Sequence, residues 1–155
     1  PAPLHLWNPD YCGEVDMAIT ADGTWLHEGV PIKRAELWQL FAGILRREDD
    51  SEYYLVTPVE KCRVSVALHP LIITDIEPCE TRQGPGLAAL LNAGGRYPIS
   101  LDYPLKLEQK ASGAAYIELP HGLSALCSRA AWYRLVDMAD DSYSVMSHGA
   151  RFFLA

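Results

Sequence analysis

The sequence predicts an α+β protein made of two related small units, each with antiparallel strands and one amphipathic helix. Three observations carry that prediction. Leu37, Leu40, Phe41, Ile44 and Leu45 fall at i, i+3, i+4, i+7 and i+8, the spacing of one apolar stripe along a helix. Runs rich in β-formers, such as Tyr53-Tyr54-Leu55-Val56-Thr57, lie between clusters of turn formers. The Arg34-Ala35 entry to the first helix recurs as Arg129-Ala130 ahead of a second amphipathic stretch.

Composition narrows the class of function. The chain has 155 residues, 49% hydrophobic and 21% charged, the balance of a chain that folds around a core. Its net charge of -7, from 13 basic and 20 acidic residues, disfavours a nucleic acid or an anionic membrane as partner. No apolar run approaches the ~20 residues that span a bilayer. The opening PAPLHLWNPDYCG lacks a basic segment followed by an apolar one. These features read as a soluble, cytoplasmic chain. Cys12, Cys62, Cys79 and Cys127 are widely scattered, which suits reduced and mostly buried thiols rather than a disulfide framework. No closely spaced pair of ligands is present, so neither a metal site nor a cofactor is expected.

In chain order, residues 1–14 form a proline-rich arm in which Trp7 serves as an anchor onto the body or as the wall of a pocket. Residues 15–28 read as a hairpin turning at Asp22-Gly23, because glycine accepts the positive φ that tight hairpin turns need. The helix is expected from about Lys33 to Arg47, with Arg46 and Arg47 in its last turn, complementing the helix dipole by ~0.3–1 kcal/mol each. Tyr53 to Thr57 is expected as a strand ended by Pro58. Cys62 to Ala67 and Leu71 to Ile76 follow as strands, and Glu77 to Gly86 as a loop punctuated by Pro78, Gly84, Pro85 and Gly86. Leu87 to Asn92 is read as strand, and Gly94-Gly95 as the turn of a hairpin reaching Leu101.

The last third echoes the first. A shift of 95 residues puts Arg34 on Arg129, Trp38 on Tyr133, Leu40 on Leu135 and Phe41 on Val136. Ser128 is the expected N-cap of the second helix, with strands at Ala115 to Leu119 and Leu123 to Leu126 before it. The units are placed at residues 1–66 and 67–155. A duplicated chain creates a seam between its halves, where small-molecule pockets tend to form.

Chemical signatures are sparse. Gly84-Pro85-Gly86-Leu87-Ala88-Ala89 matches the glycine fingerprint of dinucleotide folds, but no strand leads directly into it and no long helix leaves it. Ser147-His148 are neighbours in sequence, which does not make a triad. His5, His27, His69, His121 and His148 are isolated. The remaining concentration is Arg46-Arg47-Glu48-Asp49-Asp50 with Thr57-Pro58-Val59-Glu60-Lys61. It has two readings. One is an anion site, since guanidinium binds phosphate or carboxylate through paired hydrogen bonds. The other is a set of structural salt bridges at the corners of the unit.

At these residues the sequence resembles a known family. Trp7-Asn8-Pro9 through Cys12-Gly13, Asp22-Gly23 with Trp25, Pro31-Ile32 with Arg34, Leu45 to Asp50 and Tyr53 to Lys61 are similar to the bacterial domain-of-unknown-function family 1285. That resemblance implies duplicated α+β units, the second loosely like a pleckstrin-homology fold. It further implies a nucleotide-type ligand at the interface of the halves and a role in signalling, with no established enzymatic activity. Its implied ligand-binding residues fall here on Trp7, Arg34, Arg47, Thr57, Glu60 and Lys61.

The expected function is therefore a regulatory module that binds a nucleotide-type or other anionic small molecule, with a signalling protein as a further partner. Two alternatives belong to other classes. One is a protein-interaction adaptor using Trp7 and a strand edge. The other is an acid–base enzyme drawing on Glu48, Asp50, Glu60 and His148.

Overall fold

A computed structural model describes residues 2–155, the side chain of Cys12 excepted, so the expectation of a buried thiol at Cys12 lies outside the described residues. The chain divides into two units. The first takes in the chain up to Pro70 together with Pro120–Leu123, and the second comprises Leu71–Leu119 and Ser124–Ala155.

The first unit contains strands β1 (Tyr11–Ile19), β2 (Trp25–His27), β3 (Val30–Pro31), β4 (Leu45–Arg47), β5 (Tyr53–Val56) and β6 (Lys61–Val66), with helix α1 at Ala35–Ala42. The sheet order is β3-β2-β1-β6-β5-β4. The β1–β6 pair is parallel, and the others are antiparallel. The predicted hairpin stands, although its loop spans Thr20–Thr24. There the Asp22 carboxylate accepts hydrogen bonds from the Thr24 hydroxyl at 2.9 Å and from Thr20, and Gly23 takes φ 87°.

The second unit contains β7 (Leu71–Thr81), β8 (Gly84–Leu91), β9 (Arg96–Pro98), β10 (Leu105–Glu108), β11 (Ala114–Glu118) and β12 (Ser124–Cys127). Helix α2 (Arg129–Asp137) and the hairpin β13 (Ser144–Ser147) and β14 (Ala150–Phe153) complete it. Its sheet order is β10-β11-β12-β7-β8-β9, with β7 and β12 parallel. Strand for strand this is the order of the first unit, so duplication is written in the sheets. The helices do not occupy equivalent places. α1 lies between the third and fourth strands of its unit, whereas α2 follows the sixth strand of its own. The helix-on-helix register read from the sequence therefore aligns two amphipathic helices that the topology does not equate.

Two further expectations are corrected. The first helix stops at Ala42, and Leu45–Arg47 is a strand. Gly43 interrupts the helical run at a cost of ~1 kcal/mol relative to alanine. Pairing with β5 then gives Leu45, Arg46 and Arg47 ladder partners that a helix end cannot offer. The Arg46-Arg47 pair consequently has no helix dipole to complement. The supposed loop Glu77 to Gly86 is mostly strand, since β7 and β8 pair from Ile73–Leu91 out to Thr81–Gly84. Pro78 and Pro85 are tolerated because β12 pairs with β7 at Leu71 to Ile73, and β9 with β8 at Ala88 to Leu90. Among the described residues no further strand ladder pairs with the outer half of this hairpin. There β8 meets single bonds, from His148 N to Pro85 O and from Leu87 N to Ser147 Oγ, so neither missing N–H breaks a ladder. The dinucleotide-like glycines lie inside β8, and no helix leaves them.

The other elements form as their residues predict. Leu87 to Leu91 is strand, Gly94 and Gly95 turn with φ 91° and 96°, and the Ser128 hydroxyl caps α2 by accepting from Ala131 N at 3.1 Å. Ile19, Trp25, Leu45 and Val56 fill the core of the first unit, and Ile73, Ile76, Ile117 and Leu135 that of the second. Burial pushes the Cys127 thiol up to about 12, so it stays protonated and inert at neutral pH.

Candidate functional site

Residues opposite each other in an antiparallel ladder point to the same side of the sheet, and successive residues alternate. The pairs Arg46–Tyr54 and Val56–Lys61 therefore put these four residues on one face of the first sheet. The pairs Arg47–Tyr53 and Leu55–Cys62 face the other way. The two charged segments flank β5, Arg47 opposite Tyr53 and Lys61 opposite Val56. They meet on one face through Glu48.

On that face Glu48 Oε1 accepts from Lys61 Nζ at 2.6 Å, and Oε2 accepts from Arg46 Nε at 2.9 Å. Arg46 also donates to the carbonyls of Leu4 at 3.0 Å and Trp7 at 2.8 Å, which ties the N-terminal arm to the sheet. Lys61 Nζ lies 4.8 Å from the centre of the Tyr54 ring. Burial pushes the Glu48 carboxyl up, and the hydrogen bonds from Lys61 and Arg46 outweigh it, leaving the group below its ordinary value. This is the structural salt-bridge reading of the cluster. The adjoining crevice holds Asn8, Arg46, Arg47, Glu48, Asp49 and Asp50, where carboxylates outnumber guanidinium groups.

The Tyr54 hydroxyl donates to Asp50, and that bond, followed by burial, pushes the phenol up to about 12. A folded value raised above the ordinary 10.0 gives stabilisation that is complete below pH 10.0 and lost as pH rises toward 12. Ultraviolet titration of tyrosinate is expected to show a late component that Tyr54→Phe removes. A high-pH end unchanged by the substitution would mean that the bond is absent.

The residues implied by the family resemblance separate into four places. Trp7 is half-buried against the cluster of Leu4, Tyr54 and Val56, as an anchor. Lys61 is engaged by Glu48 on that same face. Arg47 is on the opposite side, its Nε donating to Ser51 O at 3.2 Å and its guanidinium 5.2 Å from the Tyr53 ring centre. A side chain on Gly122 would strike the Arg47 carbonyl at 2.9 Å, so glycine allows that close approach. Arg34 is exposed at the N-cap of α1. Thr57 and Glu60 close the β5–β6 turn, where Thr57 Oγ1 accepts from Glu60 N at 3.1 Å.

Thr57 and Glu60 also line a cavity of about 420 Å³ between α1 and the sheet. Its other walls are Val15 and Met17 of β1, His27 of β2, Ile32, Leu37 and Phe41 of α1, Ile44, Leu55 of β5 and Cys62 of β6. The ladder pairs Met17–His27 and Leu55–Cys62 turn these side chains to one face. The helix stands over that face without closing on it. The predicted core stripe is accordingly split, with Leu45 fully buried but Leu37 38% and Leu40 64% exposed. Behind the cavity wall, Trp25 stacks on Phe41 and on Trp38, each at 6.4 Å between ring centres. Trp25 Nε1 is a buried donor with no partner among the described residues. Alternation of Val15 with Met17, and of Trp25 with His27, is legible in the sequence. That the helix leaves this face open is not.

In the second unit, Ser147 and His148 are brought into contact, but as scaffold. Ser147 Oγ accepts from Leu87 N at 2.8 Å and donates to Ile99 O at 2.6 Å, with no exposed surface. Glu48 and His148 fall in different units. Among the described residues no group of three or more His, Cys, Asp or Glu is arranged to hold a metal, and no helix is long and apolar enough to cross a membrane.

Comparison with known proteins follows the same division. The family model described as Domain of unknown function (DUF1285), N-terminal domain, matches residues 2–67. The one described as Protein of unknown function (DUF1285), C-terminal domain, matches residues 70–154. A crystal structure of a DUF1285 family protein from Silicibacter pomeroyi DSS-3 is similar with a TM-score of 0.90 and 36% identity, covering 98% of this chain and 86% of that one. A second, from Shewanella baltica OS155, gives a TM-score of 0.65 at 33% identity, covering 79% of this chain and 91% of that one. No curated protein matches.

Proposed function

The chain belongs to the DUF1285 family, and from that premise we propose that it is a regulatory module that binds a small molecule without transforming it. The observation that carries this reading is the cavity between α1 and the first sheet. Its volume falls in the range of ~300–1,000 Å³ typical of ligand sites, and its walls are mainly apolar with a few polar points. Leaving Leu37 and its neighbours partly unpacked forgoes a fraction of the ~1.5–3 kcal/mol that full burial of each such side chain gives. A ligand seated under the helix recovers part of that and holds α1 to the sheet, which gives a partner in the bacterial cytoplasm something to read.

A nucleotide-type ligand suits the cleft through its base, with its phosphates left in solvent. Lys33 and Arg34, which directly follow the cavity-lining Ile32, carry the matching charge and make no ion pair among the described residues. A second reading, as an adaptor for another protein, is favoured by Leu40 at 64% and Val59 at 84% exposure.

Thermal-shift measurement with a panel of nucleosides, nucleotides and inorganic pyrophosphate separates these. A binder of the cleft raises stability by ~2.7 kcal/mol at a hundredfold excess over its dissociation constant. Pyrophosphate alone is expected to do less than the matching nucleotide. A flat response across the panel counts against a nucleotide-type ligand and leaves the adaptor reading in place.

A further inference from the structure

We propose that the α1 cleft selects an apolar molecule whose polar end is a hydrogen-bond donor, an amine or an amino-bearing ring, and rejects apolar molecules headed by a carboxylate. The proposal rests on the cleft being a ligand site and adds the chemistry of what enters it. Four polar side chains line the cavity: His27, Thr57, Glu60 and Cys62. Thr57 Oγ1 is spent on its turn, accepting from Glu60 N at 3.1 Å and Val59 N at 3.4 Å, and Cys62 has an interaction of its own. Glu60 and His27 have no side-chain hydrogen bond or ion pair among the described residues. The cleft thus presents one uncommitted carboxylate, which only accepts, and one imidazole.

No lysine or arginine lines the cavity among the described residues. Lys61 follows Glu60 in sequence but lies on the face of Tyr54, where Glu48 holds it at 2.6 Å. Arg46 is held on that same face by Glu48 and two carbonyls. Neither can answer an anion placed between Leu37 and Leu55. An acid held between Leu37 and Leu55 would lose water and meet Glu60. Among the described residues no lysine or arginine is on the cavity wall, and His27 is the one uncommitted side chain there able to donate to it, through a ring N–H. An ammonium or ring amino group finds an acceptor at the same point, and the chain's net charge of -7 attracts cations over a longer range.

The test uses three naphthyl compounds of one size, naphthylethylamine, naphthylethanol and naphthylpropionate, titrated into the whole chain by calorimetry. The amine is expected to bind about fivefold more tightly than the acid, with the alcohol between them, since Glu60 is exposed and an ion pair there is worth at most ~1 kcal/mol. Glu60→Gln removes the charge where the side chain supports nothing else and is expected to bring amine and acid within about twofold of each other. His27→Gln keeps the carboxylate and is expected to keep the preference. An acid that binds as well as the amine, or a preference that survives Glu60→Gln, overturns the selectivity while leaving the cleft a ligand site. Failure of all three compounds to bind overturns both.

Discussion

Glu48→Ala is expected to destabilise the first unit by about 2–3 kcal/mol at neutral pH, because it strands two cations at once. The Glu48 side chain is 22% exposed, and those of Arg46 and Lys61 are 15% and 16% exposed, so water only partly replaces the lost carboxylate. Removing one partner of a fully buried pair costs ~3–5 kcal/mol, and the residual exposure here places the effect below that range. Arg46 keeps the Leu4 and Trp7 carbonyls, and Lys61 keeps the Tyr54 ring. The loss also has a pH signature. A carboxyl whose folded value is depressed contributes stability that is present above its unfolded value, near 4.5, and is lost as pH falls through the folded value. Denaturant melts at pH 7 and pH 3 should therefore show a large gap between wild type and Glu48→Ala at the higher pH and a smaller one at the lower. Equal gaps would mean that Glu48 contributes bulk rather than charge.

Ser147→Ala is expected to cost the second unit about 2–3 kcal/mol, a large effect for the loss of one oxygen. Its hydroxyl is the acceptor for Leu87 N in β8 and the donor to Ile99 O, and the side chain is fully buried. Alanine leaves the Leu87 N–H unpaired, which costs ~1–3 kcal/mol, and weakens the hold of the β13–β14 hairpin on β8. The Ile99 carbonyl retains His148 Nδ1 at 3.2 Å, which keeps the loss from doubling. Thermal denaturation of the variant measures it, and a change under ~0.5 kcal/mol, the level of an ordinary surface substitution, would show that the hydroxyl is not the hairpin's tether.

The sequence was most informative where local chemistry decides conformation. Asp22-Gly23, Gly94-Gly95, the Ser128 cap and the β-rich Tyr53 to Val56 segment each specify their own geometry, and each is found where expected. It misled where a distant strand decides. Leu45 to Arg47 continue a helical stripe in sequence, yet Tyr53 to Leu55 recruit them into a ladder once Gly43 has weakened the helix. Pro78 and Pro85 read as loop because sequence does not show that no further strand ladders onto this stretch of hairpin. The repeat was recognised through its helices but resides in its sheets, since strand order is a non-local property.

The same division governs the site. Thr57 and Glu60 were reached through the family resemblance and do line the cleft, but Lys61 and Arg47 fall on opposite faces of the sheet. Alternation along β4 and β6 separates them, and only knowledge of which strands pair could have shown it. The cleft itself arises because an eight-residue helix covers its face incompletely, an outcome of packing rather than of any motif.

The most direct measurement is an amide NMR titration of the first bound member of the nucleoside or amine series. The account predicts that the largest shifts map to Met17, Leu37, Phe41, Leu55 and Glu60, and that Val15→Phe, which fills the cleft, weakens binding at least tenfold while leaving the fold intact. Saturable shifts that map elsewhere, or that persist unchanged in Val15→Phe, would contradict it.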